Sequence, residues 1–273
     1  MKVAALQMVS GTQLQANLAY AHDLLRAAAQ GGAELAVLPE YFCLLGLHGS
    51  DKLAIQEPFG AGPIQRFLSD AARETGLWIV GGTLPLSTGC GAADHVYNST
   101  LVYSPQGQCV ARYDKIHLFR FDSGQERYDE SRVLRAGTQP VAFELTARDG
   151  QRWRVGLSIC YDLRFPELYR SYARSGVDLL LVPSAFTYTT GQAHWELLLR
   201  ARAVENLAFV VAPAQGGRHE NGRRTWGHSM LVDPWGEVMA QRAEGAGLVS
   251  AALDFARLAS CRAQLPALSD RAL

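Results

Sequence analysis

Three polar residues stand where apolar, strand-like runs of the sequence end. Glu40 follows ELAVLP, Lys115 follows CVARYD, and Cys160 follows VGLSI. Functional groups in α/β folds gather at such ends, where strands give way to loops. Singly, each has an ordinary explanation. A Glu or Lys is normally exposed or paired, and a buried cysteine is usually a small hydrophobe. Together, a carboxylate, an ammonium and a thiol suffice for acyl transfer. The thiol attacks a carbonyl, the carboxylate carries protons, and the ammonium stabilises the oxyanion and favours the thiolate. The stretch VGLSICYDLRFPE sets its thiol directly against Asp162, Arg164 and Glu167. A Cys–His pairing is the competing arrangement. It would draw on His117, two residues past Lys115, or on His194, but neither sits in a cysteine-protease signature.

The chain that must position these groups has 273 residues, 48% apolar and 19% charged, with 26 basic residues balancing 26 acidic ones. That length supplies a substantial core, and the balance leaves no net field to attract nucleic acid nonspecifically. Apolar runs such as VDLLLVPSAF are too short to span a bilayer. The N-terminus lacks the apolar core of a secretory signal, so a cytoplasmic location is expected, with no membrane partner. Cys43, Cys90, Cys109, Cys160 and Cys261 are scattered without a CxxC. That pattern argues against a disulfide framework and against a zinc site. The sequon at 98–100 carries little meaning in such a protein.

Two segments echo one another. KVAALQM, NLAYAHDLLRAAAQGG and AELAVLPE read strand, helix, strand; so do RVGLSIC, FPELYRSYARSG and VDLLLVPSAF. If the echo is real, two similar halves pack around a shared sandwich. Between them lie β-rich stretches with a hairpin turn at SPQGQ, and a second hairpin turns at DPWGE. GQAHWELLLRARAVEN reads as a helix with Leu197, Ala201 and Val204 on one stripe and a Glu196–Arg200 pair. No linker divides the chain, so one α/β domain with sheets covered by helices is expected over 1–273.

LAVLPEYF, YDKIHLF, GLSICYDLRFPELYR, VPSAF, TGQAHWELLLRARAVEN and GHSMLVDPWGEV resemble, in order, the motifs of the nitrilase superfamily of carbon–nitrogen hydrolases. The resemblance implies a four-layer α-β-β-α sandwich, commonly paired as a homodimer. It also implies a Glu–Lys–Cys triad on Glu40, Lys115 and Cys160, with no metal or organic cofactor. A second active-site Glu falls on Glu130, with Glu126 and Asp129 close by. The expected reaction is amide hydrolysis through a thioester, with Lys115 and the Tyr161 N–H stabilising the oxyanion. An inactive, binding-only relative is disfavoured by the intact triad.

CYDLRFPELYR, AHWELLLRARA and GHSMLVDPWG look most like the Nit branch. Two activities are known in that branch, on deaminated glutathione and on 2-oxoglutaramate, both small amides with an α-keto acid end. N-carbamoyl and aliphatic amidases are more distant alternatives. The keto acid calls for a cation, and Arg164 suits a carboxylate; its other reading is a salt bridge to Asp162 or Glu167. Phe186 and Thr190 match positions that the resemblance places near the substrate. AQGGRHENGRRTWGHS resembles the deaminated-glutathione branch more than the other. Its Arg218, His219, Arg223 and Arg224 read either as a solvated basic turn or as a partner for a departing cysteinylglycine. The ending LPALSDRAL departs from the basic–aromatic ending common in that branch.

Overall fold

The computed structural model describes residues 1–89, 94–124 and 126–272; Cys90 lies outside them. Two mixed sheets form the centre. In the first, the strand order is Gly247–Ala252, Lys2–Gln7, Leu35–Val37, Trp78–Val80, Val96–Tyr103 and Leu84–Ser87. Cys109–Asp114 and Leu134–Arg135 also pair with Val96–Tyr103. In the second, the order is Ala142–Thr146, Arg152–Leu157, Leu179–Leu181, Phe209–Ala212, Ser229–Val232 and Val238–Arg242.

Alternation along the strands decides which side each sheet turns to its neighbour. In Lys2–Gln7, Val3 and Ala5 join a core with Val155, Leu157, Leu179 and Leu181 of the other sheet. Ala4 and Leu6 face the opposite way and pack with Leu18, Leu25, Ile64 and Leu68 of helices α1 (Leu14–Gln30) and α2 (Pro63–Thr75). Helices α3 (Pro166–Arg174) and α4 (Tyr188–Asn206) cover the outer face of the second sheet through Tyr169, Tyr172, Trp195 and Leu199. The result is the α-β-β-α sandwich. A last helix, α5 (Phe255–Gln264), buries Leu258 and Cys261.

The internal echo is real at the level of single hydrogen bonds. Both units make parallel strand pairs, Val3 with Leu35 and Val155 with Leu179. Before each second strand an acidic side chain accepts from the first strand's backbone: Glu34 from Lys2 N at 3.1 Å, Asp178 from Arg154 N at 2.9 Å. The two hairpins are also present, with Ser104 N donating to Gln108 O and Asp233 N to Glu237 O, each at 2.9 Å.

The stripe on α4 turns outward. Leu197 is 68% exposed and Val204 44%, whereas Trp195, Leu199, Arg202 and Ala203 form the buried face. Periodicity reports that a helix is two-faced; it does not say which face this sheet covers. Glu196 and Arg200 pair at 3.3 Å on the exposed side. α2 has no counterpart in the sequence reading, because its apolar residues are few and its flanks polar. Pro63 starts it and Gly76, in the left-handed region at φ +66°, ends it.

Candidate active site

The three strand-end groups converge. Glu40 lies just past the end of Leu35–Val37, Lys115 one residue past Cys109–Asp114, and Cys160 three past Arg152–Leu157. Two glycines permit the close approach. A Cβ on Gly82 would lie 2.1 Å from Pro39 O, beside Glu40, and one on Gly137 would lie 2.2 Å from Asp114 O, beside Lys115. Cys160 itself holds φ +49° and Tyr41 φ +56°. A side-chain-bearing residue there costs on the order of 1–3 kcal/mol, a strain typical of functional sites.

Lys115 is fully buried, and its Nζ donates to Glu40 Oε1 at 2.9 Å and to both oxygens of Glu130, at 3.1 and 2.8 Å. Burial alone would lower its proton affinity, but the two carboxylates outweigh burial and hold the ammonium well above its ordinary range. Burial pushes the Glu130 carboxyl up; Lys115 and then Lys52 overcome that and lower it. Glu40, 1% exposed, also accepts from Asn98 Nδ2 and from the Ala185 N–H, each at 2.9 Å. Gln215 Nε2 donates to the Glu40 backbone oxygen at 3.1 Å. Glu130 further accepts from Tyr41 OH and Phe119 N, each at 2.8 Å.

The Cys160 thiol is raised well above its ordinary range by burial first and then by Glu40, with Lys115 pulling the other way. The ammonium does pull toward the thiolate, as expected, but burial and the Glu40 carboxylate together outweigh it and favour the protonated form. The Cys160 N–H donates to Pro183 O at 3.0 Å, whereas the Tyr161 N–H has no acceptor among the described residues.

Neither histidine reaches the thiol. His117 Nδ1 lies 2.7 Å from Asp162 Oδ1 and its ring stacks on Phe165 at 3.7 Å. His194 is exposed, beside Arg164 Nη1 at 3.2 Å. The fully buried Asp162 also accepts from Tyr113 OH at 2.7 Å and Ile159 N at 2.9 Å, bracing the turn that carries Cys160. Among the described residues no group of His, Cys, Asp and Glu is arranged to hold a metal, and no helix is long and apolar enough to cross a membrane.

Tyr161, Arg164, Phe186 and Thr190 line one small cleft with Cys160, of about 10 Å³. Arg164 makes no ion pair among the described residues; its guanidinium carbon lies 5.4 Å from the Phe186 ring centre and 5.8 Å from that of Tyr161. Thr190 Oγ1 lies 2.8 Å from Thr187 Oγ1. A far larger cavity, about 600 Å³, shares Phe119 with that cleft and reaches Tyr41 and Glu130. Glu126 and Asp129 stay off the lysine, and Asp129 accepts from Ser131 N at 3.2 Å.

The basic loop is divided among different tasks. His219 is buried between Ser10 O at 2.9 Å and Thr225 Oγ1 at 2.8 Å. Arg224 pairs with Glu244 at 2.5 Å and lies over Tyr188, whereas Arg223 faces the large cavity. Asn98, Tyr41 and Phe119 carry site contacts that the sequence reading did not name, and Asp162, read there as a neighbour of Arg164, braces the cysteine turn instead. Asn98 carried a signal, an amide inside the otherwise apolar strand VYNSTLVY; at 2% exposure it serves the site and is no glycan acceptor.

The carbon-nitrogen hydrolase family model matches residues 2–263. A deaminated glutathione amidase of Synechocystis sp. is 41% identical over 270 residues, covering 98% of this chain and 97% of that protein. The Homo sapiens protein of the same name is 39% identical over 271 residues, covering 98% and 81%. The solved C. elegans NitFhit structure superposes with a TM-score of 0.88 at 37% identity; the match covers 99% of this chain and 65% of that one. With the sandwich and this full-length likeness together, the chain belongs to the carbon–nitrogen hydrolase family and is an enzyme of its amidase kind.

Proposed function

We propose that Cys160, Glu40, Lys115 and Glu130 hydrolyse the amide of deaminated glutathione through a thioester. The observation that carries this reading is the fully buried Lys115 ammonium, gripped by Glu40 and Glu130 beside the Cys160 thiol. Glu40 takes the Cys160 proton as sulfur attacks the amide carbon. The resulting oxyanion lies against Lys115 and the free Tyr161 N–H, a contribution of about 3–4 kcal/mol per donor. The C–N bond then breaks as Glu40 returns the proton to the leaving nitrogen. Water gives a proton to the same carboxylate and attacks the thioester; the C–S bond breaks, the acid leaves, and the thiol regains its proton. Glu130 keeps Lys115 charged and fixed throughout.

The substrate follows from the names of the relatives and from the cations present. Arg164, without an acidic partner, faces the cleft over Cys160 and would hold the keto-acid carboxylate. Phe186 and Thr190 shape that cleft. The whole chain acts as one domain. Two copies pair through the apolar patch where Leu197 and Val204 adjoin exposed Trp235; Arg200 Nε ties that turn to α4 through Gly236 O at 2.8 Å. Leu197→Asp is expected to shift sedimentation to monomer, and an unchanged sedimentation coefficient would contradict the pairing.

The functional reading is tested by comparing kcat/KM for deaminated glutathione, 2-oxoglutaramate and a simple aliphatic amide. Deaminated glutathione is expected to lead. Preference for the simple amide would overturn the substrate while leaving the triad.

A further inference from the structure

We infer that Lys52 and Arg223 form a clamp for a carboxylate on the leaving-amine side of the substrate. The clamp lies on the wall of the large cavity that reaches Tyr41 and Glu130.

The cavity holds about 600 Å³, within the range of small-molecule sites. Hydrolysis of a primary amide releases only ammonia and needs none of that room. A dipeptide leaving group extends about 7 Å, at 3.3–3.6 Å per residue, and fits within it.

Among the charged groups on its wall, Arg127 is engaged with Asp122 at 3.5 Å and Arg132 with Asp129 at 4.0 Å. Glu130 is committed to Lys115. Lys52 and Arg223 have no acidic partner among the described residues. The Lys52 ammonium stands 4.4 Å from the Tyr41 ring centre and the Arg223 guanidinium 5.0 Å from that of Tyr128. Two part-buried cations resting on aromatic faces are held in place without being neutralised. The Lys52 ammonium is lowered to about 8, by burial first and then by Lys115 and Arg223, against the opposing pull of Glu130 and Glu40. An incoming anion relieves that mutual repulsion.

The two cations are also built into place. Lys52 belongs to the short 3₁₀ helix Gly49–Ile55, and Arg223 to the turn between the strands Gly216–Arg218 and Arg224–Trp226. Asn221 ties the Arg223 turn to the loop before that helix, its Nδ2 donating to Gly46 O at 2.7 Å while its Oδ1 accepts from Arg223 N at 3.0 Å. Glu220 fastens the same turn to Thr12, accepting from its hydroxyl at 2.5 Å. Arg164 lines the Cys160 cleft while Lys52 and Arg223 line the large cavity, so the two ends of a dianionic amide meet separate cations.

This inference rests on the proposed substrate, and the test keeps the two apart. The quantity measured is the ratio of kcat/KM for deaminated glutathione to that for its C-terminal carboxamide. In the native enzyme the ratio is expected to be ~10 or more, the scale of one charge-assisted contact pair. Lys52→Gln and Arg223→Gln should each move it toward one, and Lys52→Arg should retain it. Circular dichroism establishes that each variant is folded. A native ratio near one, or a ratio the two Gln variants leave intact, overturns the clamp. The same ratio is then measured on a dipeptide bearing a simple aliphatic acyl group. Discrimination that persists there and is lost in the variants supports the clamp even where the keto-acid reading fails.

Discussion

Glu130 grips Lys115 with both carboxylate oxygens, at 3.1 and 2.8 Å, while Glu40 touches the same ammonium with one oxygen at 2.9 Å. Glu40's other oxygen accepts from the Ala185 N–H. The bidentate partner is thereby committed to the lysine. The monodentate one sits beside the thiol and is the carboxylate suited to carrying protons.

That asymmetry separates stability from chemistry. Lys115→Met leaves two carboxylates buried together and is expected to cost about 3–5 kcal/mol in urea unfolding. Adding Glu130→Gln should recover part of that stability and no turnover. A single Lys115→Met variant as stable as the native protein would contradict the ion-pair geometry.

The raised Cys160 thiol has a pH signature. The ultraviolet thiolate signal of native protein minus Cys160→Ala should remain absent through the ordinary thiol value of 9.0. The sign follows from the causes: burial and Glu40 both favour the protonated form, so the thiolate emerges only above that value. Glu40→Gln removes one of them and should move its appearance to lower pH. A signal complete by neutral pH would mean a resting thiolate.

Arg164→Ala is expected to raise KM for α-keto acid amides by ~10-fold or more, the loss of a charge-assisted contact. Neutral amides should respond much less. An equal effect on both would make Arg164 a structural residue, acting through its packing on Tyr161 and Phe186.

Much of this was legible in the chain because a polar residue at the end of an apolar strand has few reasons to be there. Glu40, Lys115 and Cys160 stood out that way, and the paired strand–helix–strand units announced the sandwich. Other features depend on partners distant in sequence. Asn98 meets Glu40 across 58 positions and reads locally as a sequon. Lys52 lies in GSDKLAI, a polar turn by composition, and only the fold sets its ammonium over Tyr41 near Glu130.

Amine release by Cys160→Ala, measured with deaminated glutathione on protein whose unfolding matches the native chain, is the most direct test of thioester catalysis. No turnover above the uncatalysed rate is expected. Release at the native rate would contradict a covalent role for Cys160.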